Sequence, residues 1–381
     1  MKPAVSSKKR AILFAVLVGG FSFYWYFVPF PWLGAIMGVL TGLLTFFILS
    51  SPRMERLRRV YYVGLFVLVF VSLMAIILDM GTSTFTSWAD VHEKEYYLAG
   101  QTTGTGSYPC TREVAQVLMG RATYMPGLHL WQTEFPSTLG EFGLILIPFA
   151  VTGLIFGRGF CGWICPLGGL SEGFVTGRKE RWKLSMFLKK VTTKDGFSYS
   201  GLKEWVRDAK FGILAGLALL SVVLVFPLMC IFCPVMWLTA VPIFWMVIGL
   251  LVILAVVLPF MTKRRWWCLL CPVGAVFSML NKISLFRIRI DKDKCSKCMD
   301  CVQECRMYAL TPESVETSKT PDFNCIRCGR CIEVCPDDAI DLYLVKTNIK
   351  ARPLFISLAI IAVVAWYAWF IILLFDILKT L

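Results

Sequence analysis

Apolar residues in this chain come in long unbroken runs, and short stretches rich in lysine and arginine separate them. Runs cover about Ala11 to Val28, Leu33 to Leu49, Val60 to Leu78, Phe142 to Phe156, Ala209 to Leu228, Val235 to Phe260 and Pro353 to Leu378. A helix that crosses a bilayer needs about 20 such residues. The pattern therefore predicts an α-helical polytopic membrane protein of about seven spans. Basic clusters at Lys2–Arg10, Arg53–Arg59, Arg178–Lys190 and Lys263–Arg265 mark one face, which the positive-inside rule makes cytoplasmic. The N-terminus is then inside and the C-terminus outside, in an inner cell membrane. Only Pro29–Pro31 separates the first two runs, so they read as a span pair and not as a cleaved signal.

Five regions follow: three spans in 1–78, an extracytoplasmic segment in 79–141, a transmembrane core in 142–290, a polar domain in 291–344 and a closing span in 345–381. The outer segment is polar, with an acidic excess and a Gly/Thr-rich stretch ending at Cys110. It lacks the Ser/Thr-Gly-Ala-Thr signature of a covalent flavin and reads as a loop that docks an outer partner.

Composition agrees with the pattern. The chain is 57% hydrophobic, with a mean hydropathy of +0.67. The net charge of +14 would point to nucleic acid in a soluble protein. Here it lies in loops between spans, so no nucleic-acid partner is expected. Two histidines, His92 and His129, lie outside every apolar run, and no CxxCH occurs. Neither a bis-histidine haem nor a covalent haem is expected.

The chemistry lies in the 15 cysteines. Cys295, Cys298, Cys301 and Cys305 are spaced C-x2-C-x2-C-x3-C, and Cys325, Cys328, Cys331 and Cys335 repeat the spacing before Pro336. This is the run that holds [4Fe–4S] clusters in bacterial ferredoxins, where the fourth cysteine of each run serves the other cluster. One cluster is assigned to Cys295, Cys298, Cys301 and Cys335, the other to Cys325, Cys328, Cys331 and Cys305. The polar domain is thus an inserted cytoplasmic α+β, bacterial-ferredoxin-like 2[4Fe–4S] domain. Structural zinc or disulfides would be the alternative; the doubled spacing and the lack of nearby histidine weigh against them. Arg306 stands where the first run ordinarily has proline, and would set a positive charge beside a cluster.

Seven further cysteines remain: Cys110, Cys161, Cys165, Cys230, Cys233, Cys268 and Cys271. The segments "RGFCGWICPLGGL" (158–170) and "RWWCLLCPVGAV" (265–276) resemble each other. Each follows a span, begins with arginine and contains C-P-x-G. Proline stops the helix, and glycine lets the backbone turn around a bulky core. Cys161, Cys165, Cys268 and Cys271 supply thiolates for one more iron–sulfur cluster, or for two sites completed by other groups; buried structural thiols are the plainer reading. Cys230 and Cys233 form another CxxCP, open to three readings: a ligand pair, a dithiol relay, or inert thiols.

These motifs resemble those of membrane-integral ferredoxin-type proteins of the NapH/NosR kind, over about residues 140–345. "FCGWICPLGGL" matches the first family motif, whereas "WWCLLCPVGAV" has two residues between its cysteines where the family has three. The resemblance implies electron exchange with quinol in support of an exported reductase, as in a quinol dehydrogenase subunit, or an accessory role for one. The reading from residues is one-electron transfer between the membrane quinone pool and iron–sulfur or cytochrome subunits; the resemblance places this in support of an anaerobic respiratory reductase. The alternatives are an accessory protein that delivers electrons for cofactor assembly and a redox-responsive regulator. Trp163, Trp237, Trp266 and Trp267 are candidates for a quinone cleft or for an aromatic belt. Glu172 is a candidate proton acceptor or an ordinary interfacial carboxylate.

Overall fold

The computed structural model describes residues 5–27, 31–52, 54–83, 121–125, 130–134, 149–175, 184–192, 196–224, 252–318 and 320–380. Cys110, Cys230, Cys233, Trp237 and both histidines lie outside these residues.

Where they are described, the apolar runs are helical. α1 (Lys8–Phe27) and α2 (Pro31–Ser50) are each long and apolar enough to cross a membrane. They meet through small residues: a Cβ on Gly19 would come within 2.8 Å of the Gly38 carbonyl oxygen. Helices that lack side-chain bulk at the contact approach backbone to backbone. α3 (Met54–Ser83) begins inside the stretch read from sequence as a basic loop. Arg56, Arg58 and Arg59 are therefore helical, and their direction is fixed. α12 (Arg352–Thr380) packs against α1 and α3.

Between these elements lie the two C-P-x-G motifs. In the first, α4 (Gly159–Trp163) is followed by Cys165 in extended conformation and then α5 (Pro166–Phe174). The second follows α6 (Glu204–Leu224) and α7 (Leu258–Thr262). There α8 (Trp266–Leu270) is followed by extended Cys271 and then α9 (Pro272–Leu280). Cys165 has φ −68° and ψ 118°, and Cys271 has φ −61° and ψ 124°. The two motifs turn the chain alike although one has an extra residue between its cysteines. In both, proline occupies the first turn of the next helix, where its missing N–H costs nothing.

Two hairpins were not foreseen: β1 (Arg121–Met125) with β2 (Leu130–Glu134) within residues 79–141, and β3 (Leu188–Thr192) with β4 (Ser198–Leu202) in a basic stretch. The ferredoxin part is bounded by β5 (Phe286–Ile290) and β6 (Ile340–Leu344), paired antiparallel, with α10 (Asp300–Gln303) and α11 (Arg330–Val334) between them. One continuous apolar core runs from Phe160, Trp163 and Phe277 through Phe355 to Phe286, Ile288 and Ile340. The ferredoxin part is thus packed against the motif helices and not merely tethered to them.

Candidate iron–sulfur centres

The two ferredoxin loops repeat one backbone shape. Left-handed residues occur two and four positions after the first cysteine: Lys297 (φ 58°) and Met299 (φ 61°), then Arg327 (φ 51°) and Gly329 (φ 84°). A third pair, Tyr308 (φ 52°) and Asp338 (φ 48°), follows each fourth cysteine by three. Such angles are strained for side chains other than glycine. Their recurrence at equal offsets reflects the demand of the loop, not the local residue.

None of the twelve described cysteines is in a disulfide, and they fall into three quartets. Burial pushes Cys301 up to about 12, and repulsion from Cys335, Cys295 and Cys298 adds to it. Burial raises Cys331 further, with Cys325, Cys328 and Cys305 as its nearest repulsive neighbours. One pocket is lined by Cys305, Cys325, Cys328 and Cys331 together with Ile288 and Leu310. Cys305 has therefore crossed to the second run, and Cys335 to the first.

The third quartet joins the two C-P-x-G motifs. Cys161 is buried among Cys268, Cys165 and Cys271. Burial pushes Cys165 up to about 12, opposed by the N–H groups of Gly168 and Leu167. It pushes Cys271 up to about 11, opposed by those of Gly274 and Val273. The first N–H groups of the helix after each proline thus favour thiolate at the second cysteine. The shorter spacing of the second motif does not displace its sulfurs from this arrangement.

This quartet abuts the second ferredoxin loop. A Cβ on Gly162 would fall 2.2 Å from the Ile326 carbonyl oxygen, so only glycine permits the contact. Trp163 is fully buried and donates from Nε1 to the Arg327 carbonyl at 2.9 Å. It is a bracket between motif and ferredoxin loop, not part of an aromatic belt. Trp266 is buried and donates to Thr262 Oγ1.

Glu172 is also buried. It meets Arg306 Nη1 at 2.7 Å, Arg265 Nη2 at 2.8 Å and Arg58 Nη2 at 3.1 Å. Burial alone would raise its carboxyl, but Arg265, Arg58 and Arg306 outweigh it and hold the group well below the usual carboxylate range. It therefore does not take up protons near neutrality, which corrects its reading as a proton acceptor. Arg306 stands where proline was expected and extends to Glu172 and to Glu55. Its charge ties the ferredoxin part to α3 and α5.

The interior fits an acceptor-rich anionic group. Among the described residues six guanidinium groups (Arg58, Arg158, Arg264, Arg265, Arg306, Arg327) and the Lys210 amine are buried against the carboxylates of Glu55, Glu172 and Asp341. Asp341 is already taken up by Arg352 and Lys350. Buried N–H donors on Arg58 Nε, Arg158 Nε, Arg265 Nε and Asn324 Nδ2 find no acceptor among the described residues. Unpaired buried charge and unmet donors are costly unless a partner fills the space. Thiolate-bound iron–sulfur clusters supply both negative charge and sulfur acceptors. Among the described residues no three ligating side chains converge tightly enough for one metal ion. The thiols gather without meeting at a point.

Sequence reasoning missed Glu55, Arg58, Lys210 and Asn324. The arginine that opens each motif was the visible signal for Arg158 and Arg265.

Fold and thiol sets together define an iron–sulfur electron-transfer protein. Residues 140–184 and 237–292 match a 4Fe–4S binding domain family, and residues 294–340 match a 4Fe–4S dicluster domain family. The ferredoxin-type protein NapH of Haemophilus influenzae is 30% identical over 54% of this chain and 68% of its own length. NapH of Escherichia coli is 25% identical over 55% of this chain and 69% of its own. The methylamine utilization ferredoxin-type protein MauN of Methylorubrum extorquens is 34% identical over 46% and 56%. The chain belongs to the NapH-type ferredoxin-like 4Fe–4S proteins. No solved structure matches it.

Proposed function

We propose that the chain is a polytopic membrane protein that relays single electrons between the quinone pool and iron–sulfur or cytochrome partners, in support of an anaerobic respiratory reductase. Cys295, Cys298, Cys301 and Cys335 would hold one [4Fe–4S] cluster, Cys325, Cys328, Cys331 and Cys305 a second, and Cys161, Cys165, Cys268 and Cys271 a third. Each cluster, when bound, carries one electron at a time. The observation that carries this reading is the seating of the Gly162 backbone on the Ile326 carbonyl. It brings the membrane motifs against the second ferredoxin loop with no water layer between them. Protein residues do the rest: Trp163 fixes the loop, Glu172 and its arginines clamp four segments, and the apolar core excludes water. Cys298 is exposed, unlike the buried Cys301 and Cys331, and would be where a partner gains access. The basic clusters support a cytoplasmic N-terminus and ferredoxin domain.

The test is reduction of the purified, fully loaded protein by a quinol analogue, followed by optical and paramagnetic spectra. Bleaching of the iron–sulfur absorption by quinol supports the relay. Spectra that respond to dithionite but never to quinol would replace it with the accessory reading, electron delivery without quinone turnover.

A further inference from the structure

Arg158 and Lys210 are fully buried, and among the described residues neither is ion-paired to a carboxylate. Asp322 and Asp208 reach Lys210 only through longer-range attraction. Both cations instead donate to one atom: Arg158 Nη1 and Lys210 Nζ each lie 2.5 Å from Asn324 Oδ1. Lys210 Nζ also donates to Ser278 Oγ at 2.8 Å. Arg158 Nη2 turns the other way and donates to the Cys268 carbonyl at 2.5 Å. Asn324 directly precedes Cys325. The path Cys268 carbonyl, Arg158, Asn324, Cys325 thus spans from the membrane quartet to the second ferredoxin quartet in three links.

Two cations sharing one neutral oxygen in a dry interior are both held charged only beside an anion. The thiol quartet whose Cys268 carbonyl accepts from Arg158 is where that anion would sit. We propose that Arg158 and Lys210, joined through Asn324, are the counter-charge of the Cys161–Cys165–Cys268–Cys271 quartet, raising the reduction potential of the cluster held there. The inference rests on the reading that this quartet holds a cluster. Positive charge near a cluster favours its more negative, reduced form. The same bridge fixes the distance from that quartet to Cys325. Arg158 and Lys210 are positioning residues, acting on the quartet through charge and not as ligands.

The test is potentiometric titration of the loaded, full-length protein followed by electron paramagnetic resonance, with Arg158→Gln, Lys210→Met, Asn324→Asp and Arg158→Lys. Arg158→Gln removes the guanidinium and shortens the side chain, and Lys210→Met replaces the amine at nearly constant volume. Asn324→Asp keeps both cations and adds an anion between them. All three lower the potential of the membrane-quartet cluster and leave that of the Cys295 set in place, while Arg158→Lys restores most of the shift. A potential unmoved in both Lys210→Met and Asn324→Asp overturns the counter-charge, even where Arg158→Gln fails to load iron. So does an equal shift of all clusters. Iron analysis of Cys161→Ser keeps the two ideas apart. Unchanged iron overturns the site itself, whereas lost iron with unmoved potentials overturns only the role of the cations.

Discussion

Arg158 donates to the carbonyl of Cys268, and Arg265 returns the contact by donating to the carbonyl of Cys161 at 3.3 Å. Each arginine opens one C-P-x-G motif three residues before its own first cysteine, yet braces the other motif. The two motifs are halves of one unit related by approximate two-fold exchange. Gly168 and Gly274 complete the likeness: a Cβ on either would approach the first-cysteine carbonyl of its own motif, at 2.6 Å and 3.3 Å. Four thiols from segments a hundred residues apart are thereby held as a set.

If the two halves contribute alike, Cys165→Ser and Cys271→Ser should each lower bound iron by about four atoms per chain, the content of one cubane. The signals of the ferredoxin clusters should persist in both. Iron analysis and low-temperature spectra of anaerobically purified protein measure this. A loss confined to Cys165→Ser would mean that the shorter motif is not an equal partner.

Glu172→Gln leaves Arg58, Arg265 and Arg306 around a neutral group. Breaking a buried pair of this kind costs about 3–5 kcal/mol. Thermal unfolding in detergent at neutral pH should show a large loss. The sign with pH follows from the depressed carboxyl of Glu172. Its stabilisation is complete above the ordinary carboxylate value of about 4.3 and is lost as pH falls through the depressed native value. The gap between wild type and Glu172→Gln should therefore close only well below pH ~4. A constant gap down to the lowest pH at which the protein survives would place the effect elsewhere.

Gly162→Ala forces a methyl group against the Ile326 carbonyl and should cost about 1–3 kcal/mol by overpacking. It should also loosen the ferredoxin part, seen as faster protease cleavage after Lys292 or Lys294. Gly216→Ala in α6 meets nothing within 4 Å and serves as the control. There the helix should gain about 0.5–1 kcal/mol. Equal behaviour of the two variants would remove the argument for close docking.

Cys305→Ser should disturb the same cluster as Cys331→Ser, and Cys335→Ser the same one as Cys301→Ser. Paramagnetic spectra of the four variants sort them into pairs. Sorting by position along the chain, with Cys305 beside Cys301, would contradict the crossed arrangement.

Much of this was written in local pattern. Unbroken apolar runs announce helices, because a buried backbone must satisfy its own hydrogen bonds. Doubled C-x2-C-x2-C-x3-C spacing announces ferredoxin loops, because closely spaced thiolates suit one cube. The kinship of the two C-P-x-G motifs was also legible, down to their leading arginines. What spacing could not give was the partner of each charge. Glu172 read as an interfacial carboxylate, because nothing in its neighbourhood along the chain names Arg58, Arg265 and Arg306, which come from three other segments. Arg306 read as a charge beside a cluster, because the carboxylate it reaches is 134 residues away in sequence. Asn324 and Lys210 carried no signal, since a single amide and a single lysine are common in any loop or helix end. The sequence by itself determined which residues can bind and which helices form, since those follow from nearest neighbours. Only the tertiary structure decided that the C-P-x-G motifs rest on the Cys325 loop, with Arg158 and Lys210 both donating to Asn324, since the partners of buried polar groups are chosen by proximity in space.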